Sequence, residues 1–202
     1  MSSYEASTQR ARWTIPASEA VWKSDQERLL FIEHLRFMLE SVSEFGLSVG
    51  LRRAFVTAAH YFHRYFAVHS IEDHPNPRLV ALACLYTASK VEELPWRKFS
   101  HGSLQYRGFE ARRICSAMPE IDMDSLLNCE LELLQTLEFS LVVHQTVPRP
   151  ETDSEDERRE TLLLMTTRAC LCMSPSEMGD ALKDIDLSPY DSIVGVQDGE
   201  DE

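Results

Sequence analysis

The feature that most constrains the fold is a ten-residue stretch without charge, Leu79-Val80-Ala81-Leu82-Ala83-Cys84-Leu85-Tyr86-Thr87-Ala88. Asn76 precedes it as a helix cap. Pro77 takes the first helical position, where its missing N–H costs nothing and its fixed φ suits the turn. The predicted helix ends near Glu93, before Pro95. A helix that is apolar on every side has to be enclosed by others, and the small Ala81, Ala83 and Ala88 let those neighbours come close. A helical bundle is therefore expected. With Gly at 7 and Pro at 9 of 202 residues, a turn-rich β architecture is disfavoured.

The flanking segments supply the other helices. Ser24-Asp25-Gln26-Glu27 has the S-x-x-E form of a helix start. Leu35, Met38, Val42 and Phe45 then recur at helical spacing up to Gly46, with Phe31, Ile32 and Leu39 widening the face. A second helix is predicted from about Ser48 to Val68, with Leu51, Phe55, Ala59, Phe62 and Phe66 on one stripe. A short helix is expected near Trp96–Leu104, and an irregular stretch over 105–120. The next strong helix, about Asp122–Glu138, carries two apolar stripes. Leu126, Leu133 and Leu137 form one; Leu127, Leu131 and Leu134 form the other. Two such faces imply contact with the chain's own core and with something else. Phe55, Phe62, Leu82 and Leu133 read as core.

Beyond Val143 the composition changes. Pro148-Arg149-Pro150 and an acidic run form a linker, followed by helix starts at Ser154-Glu155-Asp156-Glu157 and Ser174-Pro175-Ser176-Glu177. We expect an all-α protein with an N-terminal arm (1–23), a five-helix bundle (24–143), a shortened helical repeat (144–190) and an acidic disordered tail (191–202).

The formal charge of −13 argues against affinity resting on nucleic-acid phosphates or anionic lipid. Residues 151–160 and 191–202 hold six and five of the acids, so the bundle itself is closer to neutral. No apolar run approaches the roughly 20 residues of a membrane span, and the first residues lack a secretory core. Five scattered cysteines suit free thiols in a reducing compartment. A soluble intracellular chain is the expectation. Phosphate-binding glycine loops, a nucleophile elbow and the kinase signature set are absent from the sequence. His60 and His63 lack the companions of a metal site, and Cys170-Leu171-Cys172 lacks a second pair. Glu92 and Glu93, as helix neighbours, point apart and do not make an acid/base pair. No catalytic residue, metal or cofactor is expected.

Three ordered segments carry a family likeness. Arg53-Ala54-Phe55-Val56-Thr57-Ala58-Ala59-His60-Tyr61-Phe62-His63-Arg64-Tyr65-Phe66 resembles the second helix of the cyclin box. Leu79 to Glu93, with Ser89-Lys90-Val91-Glu92-Glu93 at its end, resembles the third. Leu126 to Leu141 resembles the fifth helix and its exit. Together they identify residues 24–143 as similar to a first cyclin box. The likeness runs to the transcription-type branch, the H type ahead of the C type, through Gln9-Arg10-Ala11-Arg12-Trp13-Thr14-Ile15, Leu141-Val142-Val143-His144 and Met173-Ser174-Pro175-Ser176-Glu177.

That resemblance implies a nuclear regulatory subunit that binds a cyclin-dependent kinase and holds its αC helix inward. In that position the kinase's own Glu pairs with its ATP-binding Lys. It implies Lys90 and Glu130 as charged contacts to the kinase backbone, with Thr87, Val91, Leu134 and Leu141 as the apolar part of the same surface. The local alternative is a plain Lys90–Glu130 ion pair, with Leu134 and Leu141 in the core. The implied setting is the CDK-activating kinase of TFIIH, with a third assembly subunit and no direct nucleic-acid or membrane contact. Only 59 residues follow position 143, too few for a full second box. A kinase-independent transcription adaptor of the same fold, or a shortened cyclin that binds without activating, are the competing readings.

Overall fold

Local capping sets where the helices begin. In the computed structural model Ser24 Oγ accepts from the Glu27 backbone N–H at 3.0 Å and opens helix α1, Asp25–Ser43. Helix α2 spans Val49–Val68. The Asn76 side chain accepts from Leu79 N–H at 3.0 Å, with Pro77 behind it, and helix α3 runs Pro77–Val91. Asp122 caps helix α4, Met123–Thr136, by accepting from Ser125 N–H at 2.8 Å. Helix α5 covers Glu155–Leu171. The structure describes residues 24–43, 49–92, 97–100, 103–106, 111, 114–115, 118–143 and 155–171. The arm over 1–23, the linker up to 154, the helix start at Ser174 and the acidic tail lie outside them.

The all-α architecture is observed, with one local correction. Where a short helix was expected near Trp96–Leu104, strands β1 (Arg97–Ser100) and β2 (Ser103–Tyr106) pair antiparallel, with Ser100 opposite Ser103. Two residues, His101-Gly102, separate them. A two-residue connection ending in Gly is the sequence form that hairpins favour, because their tight turns need positive φ. The expected irregular stretch after it is corrected in part, since Ala111 and Ile114–Cys115 are helical.

Helix α3 is the axis of the bundle. It packs against α1, α2 and α4, and Val80 through Leu85 are all buried. Ala81, Ala83 and Ala88 lose all exposure, which is the close approach that small side chains permit. Helix α2 is almost as enclosed, because α1, α3, α4 and α5 all pack on it. Its aromatics interlock: Phe62 meets Phe66 edge-on at 4.7 Å and Phe31 of α1 at 5.6 Å. Such pairs add about 0.5–1.5 kcal/mol beyond area burial. Helix α5 seats Leu162, Leu163 and Cys170 in the same core, against α1 and α2. Among the described residues no helix is long and apolar enough to cross a membrane.

Candidate functional site

The site forms where the C-terminal end of α3 meets the middle of α4. The uncharged run of α3 stops at Ala88, and Lys90 follows on the last turn, where a cation suits the helix dipole. Across from it stands Glu130, the one buried acid of α4. Lys90 Nζ pairs with Glu130 Oε1, and Thr87 Oγ1 donates to the same oxygen at 2.9 Å. The Lys90 ammonium also lies over the Tyr86 ring, 4.1 Å from its centroid, a favourable cation–π placement. The Lys90 side chain is 49% exposed and that of Glu130 11%. One charge is thus open to solvent while the other is nearly enclosed.

The remaining predicted site residues lie on the same two helices and the exit of α4. Thr87 is buried at 2% exposure, with its hydroxyl on Glu130. Helix α4 packs on α3, and Glu130 is the α4 residue that Thr87 meets. Val91 is 38% exposed. Leu134 is half-buried, and Leu141 is half-buried with its side chain packed on the core. Outside the pair, Leu127 and Leu131 of α4 are exposed at 41% and 53%. Two leucines of the second stripe of α4, Leu127 and Leu131, therefore face outward, and the third, Leu134, is half-buried.

The exit from α4 adds a residue that sequence reading missed. Glu138 and Phe139 both adopt left-handed backbone, with φ of 49° and 56°. Phe139 N–H donates to Leu134 O and Glu138 N–H to Gln135 O, each at 2.9 Å, which satisfies carbonyls left free by the end of the helix. Glycine usually takes the first of these positions. Here Glu and Phe take the two, and the reversal leaves the Phe139 ring 64% exposed beside Leu141. Without a glycine, the sequence carried no signal for this turn.

A second omission is a polar rail along α2. Thr57, Tyr61 and Arg64, at i, i+4 and i+7, share a face. Thr57 Oγ1 donates to Glu92 Oε1 at 2.7 Å, while Arg53 binds Glu92 Oε2 at 2.8 Å. Glu92, set aside in the sequence only as half of an acid/base pair, ties the end of α3 to α2. Tyr61 Oη donates to Leu141 O at 2.6 Å, and Arg64 Nη1 to Ser140 O at 2.9 Å. One face of α2 thus holds both edges of the site: the α3 end and the α4 exit. Burial raises the Tyr61 hydroxyl above its ordinary range and lowers the Arg64 guanidinium to about 10, leaving the tyrosine a donor. The spacing of hydroxyl and guanidinium groups on that face was the available sign.

His60 and His63 of α2 are both half-buried, with His60 one turn before Arg64. Burial, with Arg64 close by, lowers them to about 3 and about 4. The His63 ring meets Phe31 edge-on at 5.9 Å. Cys84 and Cys129 are buried free thiols, and burial pushes the Cys129 thiol up to about 12. Neither is chemically reactive in that state.

Comparison with known proteins bears on the family of the chain. The family described as cyclin, N-terminal domain, matches residues 32–142. Among curated proteins, Cyclin-C1-1 of Oryza sativa subsp. japonica is 30% identical over 133 residues, covering 62% of this chain and 49% of the rice protein. Cyclin-H of Xenopus laevis is 34% identical over 88 residues, covering 44% of this chain and 25% of the frog protein. The chain thus spans about half the length of the rice relative and a quarter of the frog one. No solved structure matches. More than half of the sequence, including both helices that build the site, falls within the matched domain, and the chain belongs to the cyclin family.

Proposed function

We propose that this chain is a regulatory subunit that binds a cyclin-dependent kinase through the Lys90–Glu130 surface. The observation that carries the reading is the Lys90–Glu130 pair where α3 meets α4, on helices that also expose Val91, Leu127 and Leu131, with Phe139 exposed at the exit of α4. Apolar fringe area supplies affinity, and a fixed donor and acceptor supply orientation. Lys90 has ammonium protons to spare for a partner carbonyl, and Glu130 has a second oxygen for a partner N–H. A kinase αC helix seated there is held inward, and the kinase's own Glu–Lys pair then completes its ATP site. Bond-making belongs to the kinase. Likeness to cyclins C and H supports a transcription role in the nucleus, and the H-type features support the TFIIH-associated kinase with its third subunit. The charge of −13 speaks against direct DNA binding as the primary activity.

The test is titration of the purified full chain against a panel of purified cyclin-dependent kinases, with phosphotransfer measured on the same samples. At least one kinase is expected to bind and gain activity. Lys90→Ala with Glu130→Ala should weaken that binding by about tenfold or more. If the double variant binds as the parent does, the surface is wrongly placed. If no kinase binds the parent chain, the kinase reading fails. Binding without a rise in rate would favour a non-activating cyclin.

A further inference from the structure

Hydroxyl groups inside helices ordinarily turn back onto their own backbone. This molecule does so repeatedly: Ser41 donates to Phe37 O at 2.8 Å, Thr167 to Leu163 O at 2.8 Å, and Ser89 to Tyr86 O at 2.7 Å. Thr57, which donates to Glu92, and Thr87 depart from that habit, and only Thr87 reaches the charged pair of the site. Its hydroxyl leaves α3 and reaches across to Glu130 of α4, in a buried contact between residues 43 apart in sequence. The carboxylate oxygen it meets, Oε1, is also the one Lys90 binds. Among the described residues Oε2 has no hydrogen-bond partner, and it is not among the enclosed polar atoms.

The two donors differ in stiffness. Lys90 is a long side chain, half in solvent, with several rotatable bonds. Thr87 is β-branched and enclosed, and its χ1 has few choices in a helix. A carboxylate held by Lys90 alone would swing with the lysine. Held by Thr87, it keeps one orientation whether or not the lysine is engaged elsewhere. We propose that Thr87 is a positioning residue that fixes the Glu130 carboxylate by one oxygen and so presents the other to a partner's N–H. Lys90 is then free to turn toward the partner without releasing Glu130. The apolar role first expected for Thr87 is replaced by a polar one exerted through Glu130. The consequence for binding rests on the kinase reading above; the positioning itself does not.

The closing experiment has two arms. The first needs no partner. Side-chain NMR of the full chain reads the two Hγ resonances of Glu130 and their couplings to Hβ. They should stay distinct and rotamer-like in the parent, in Thr87→Ser and in Lys90→Ala, and average in Thr87→Val, which keeps the shape but loses the hydroxyl. A fixed Glu130 in Thr87→Val overturns the proposal, as does an averaged one in Thr87→Ser when thermal melts show that variant folded. The second arm uses a cyclin-dependent kinase that binds the parent. Thr87→Val should weaken binding about tenfold, Thr87→Ser should restore it to within about twofold, and Thr87→Val added to Glu130→Ala should cost nothing further. An equal loss in both backgrounds would mean that Thr87 acts on general packing, and would overturn the proposal. Should no kinase bind, the functional reading falls and the first arm still decides the role of Thr87.

Discussion

Helices α3 and α4 lie side by side and are built on opposite plans. Helix α3 is buried from Val80 to Leu85 and again from Thr87 to Ser89, and it spends its length on the interior. Helix α4 commits Leu126, Cys129 and Leu133 to the core and leaves Leu127 and Leu131 outside. A helix enclosed on all sides can organise a fold but has nothing left to offer a partner. A two-faced helix does both, at the cost of an exposed apolar strip. The charged pair sits where the two plans meet: Lys90 at the end of the enclosed helix, Glu130 on the shoulder of the two-faced one. That boundary is where a charge can be partly desolvated, and so fixed in direction, while still reachable.

The largest expected effect breaks the enclosed helix. Leu82→Ala on α3 should cost about 2–5 kcal/mol in urea unfolding, because the cavity is walled on every side. A loss below about 1 kcal/mol would mean that α3 is not the axis described above. Acidification is the next largest. The unfolded chain protonates its histidines near the ordinary 6.5, whereas folded His60 and His63 stay neutral to about 3 and about 4. The unfolded state therefore gains protons first as pH falls, and stability should decline from about pH 7 down to about pH 4. Both rings keep a partly accessible edge, so about 1 kcal/mol each is expected between pH 7 and pH 5. His63→Gln should flatten the slope of melting temperature against pH; an unchanged slope removes His63 from this account.

Helix starts come next in size. Asn76→Ala and Asp122→Ala each remove a side-chain acceptor from a first turn and should cost about 1 kcal/mol. The two losses should be similar, since a cap acts locally whatever the rest of its helix meets. Smallest is the outer strip of α4: Leu131→Ala should change stability by less than about 0.5 kcal/mol. It should still weaken kinase binding, measured in the same titration as the pair variants. A large stability loss at Leu131 would place that face in the core and erase the contrast between the two helices.

The starts of α1 and α3 were legible at Ser24 and Asn76, because a cap and the N–H it satisfies lie within one turn; α4 and α5 begin at Met123 and Glu155, close to the starts expected near Asp122 and Ser154. The enclosure of α3 was legible for a similar reason: ten consecutive uncharged residues leave no polar face at any periodicity. The Lys90–Glu130 pairing was reached through family likeness and through charges standing out against apolar runs. The hairpin at 97–106 was misread as helix, since a few residues of mixed polarity carry no decisive period.

Periodicity names the residues that share a face, and it is silent on what that face meets. Thr87, which the family likeness counted with the apolar contact residues, is buried and bonded to Glu130, a contact between residues 43 apart. Tyr61 and Arg64 looked like ordinary helix positions, yet they grip carbonyls 80 and 76 residues further on. The left-handed pair Glu138–Phe139 has no glycine to announce it, and the hydrogen bonds from α2 to Leu141 and Ser140 hold the segment that follows. Local chemistry and spacing were enough to specify the helices and the number of their apolar faces. Which face is covered, and therefore which charge stays within a partner's reach, was decided only by packing, because burial belongs to the assembled neighbours and not to any one segment.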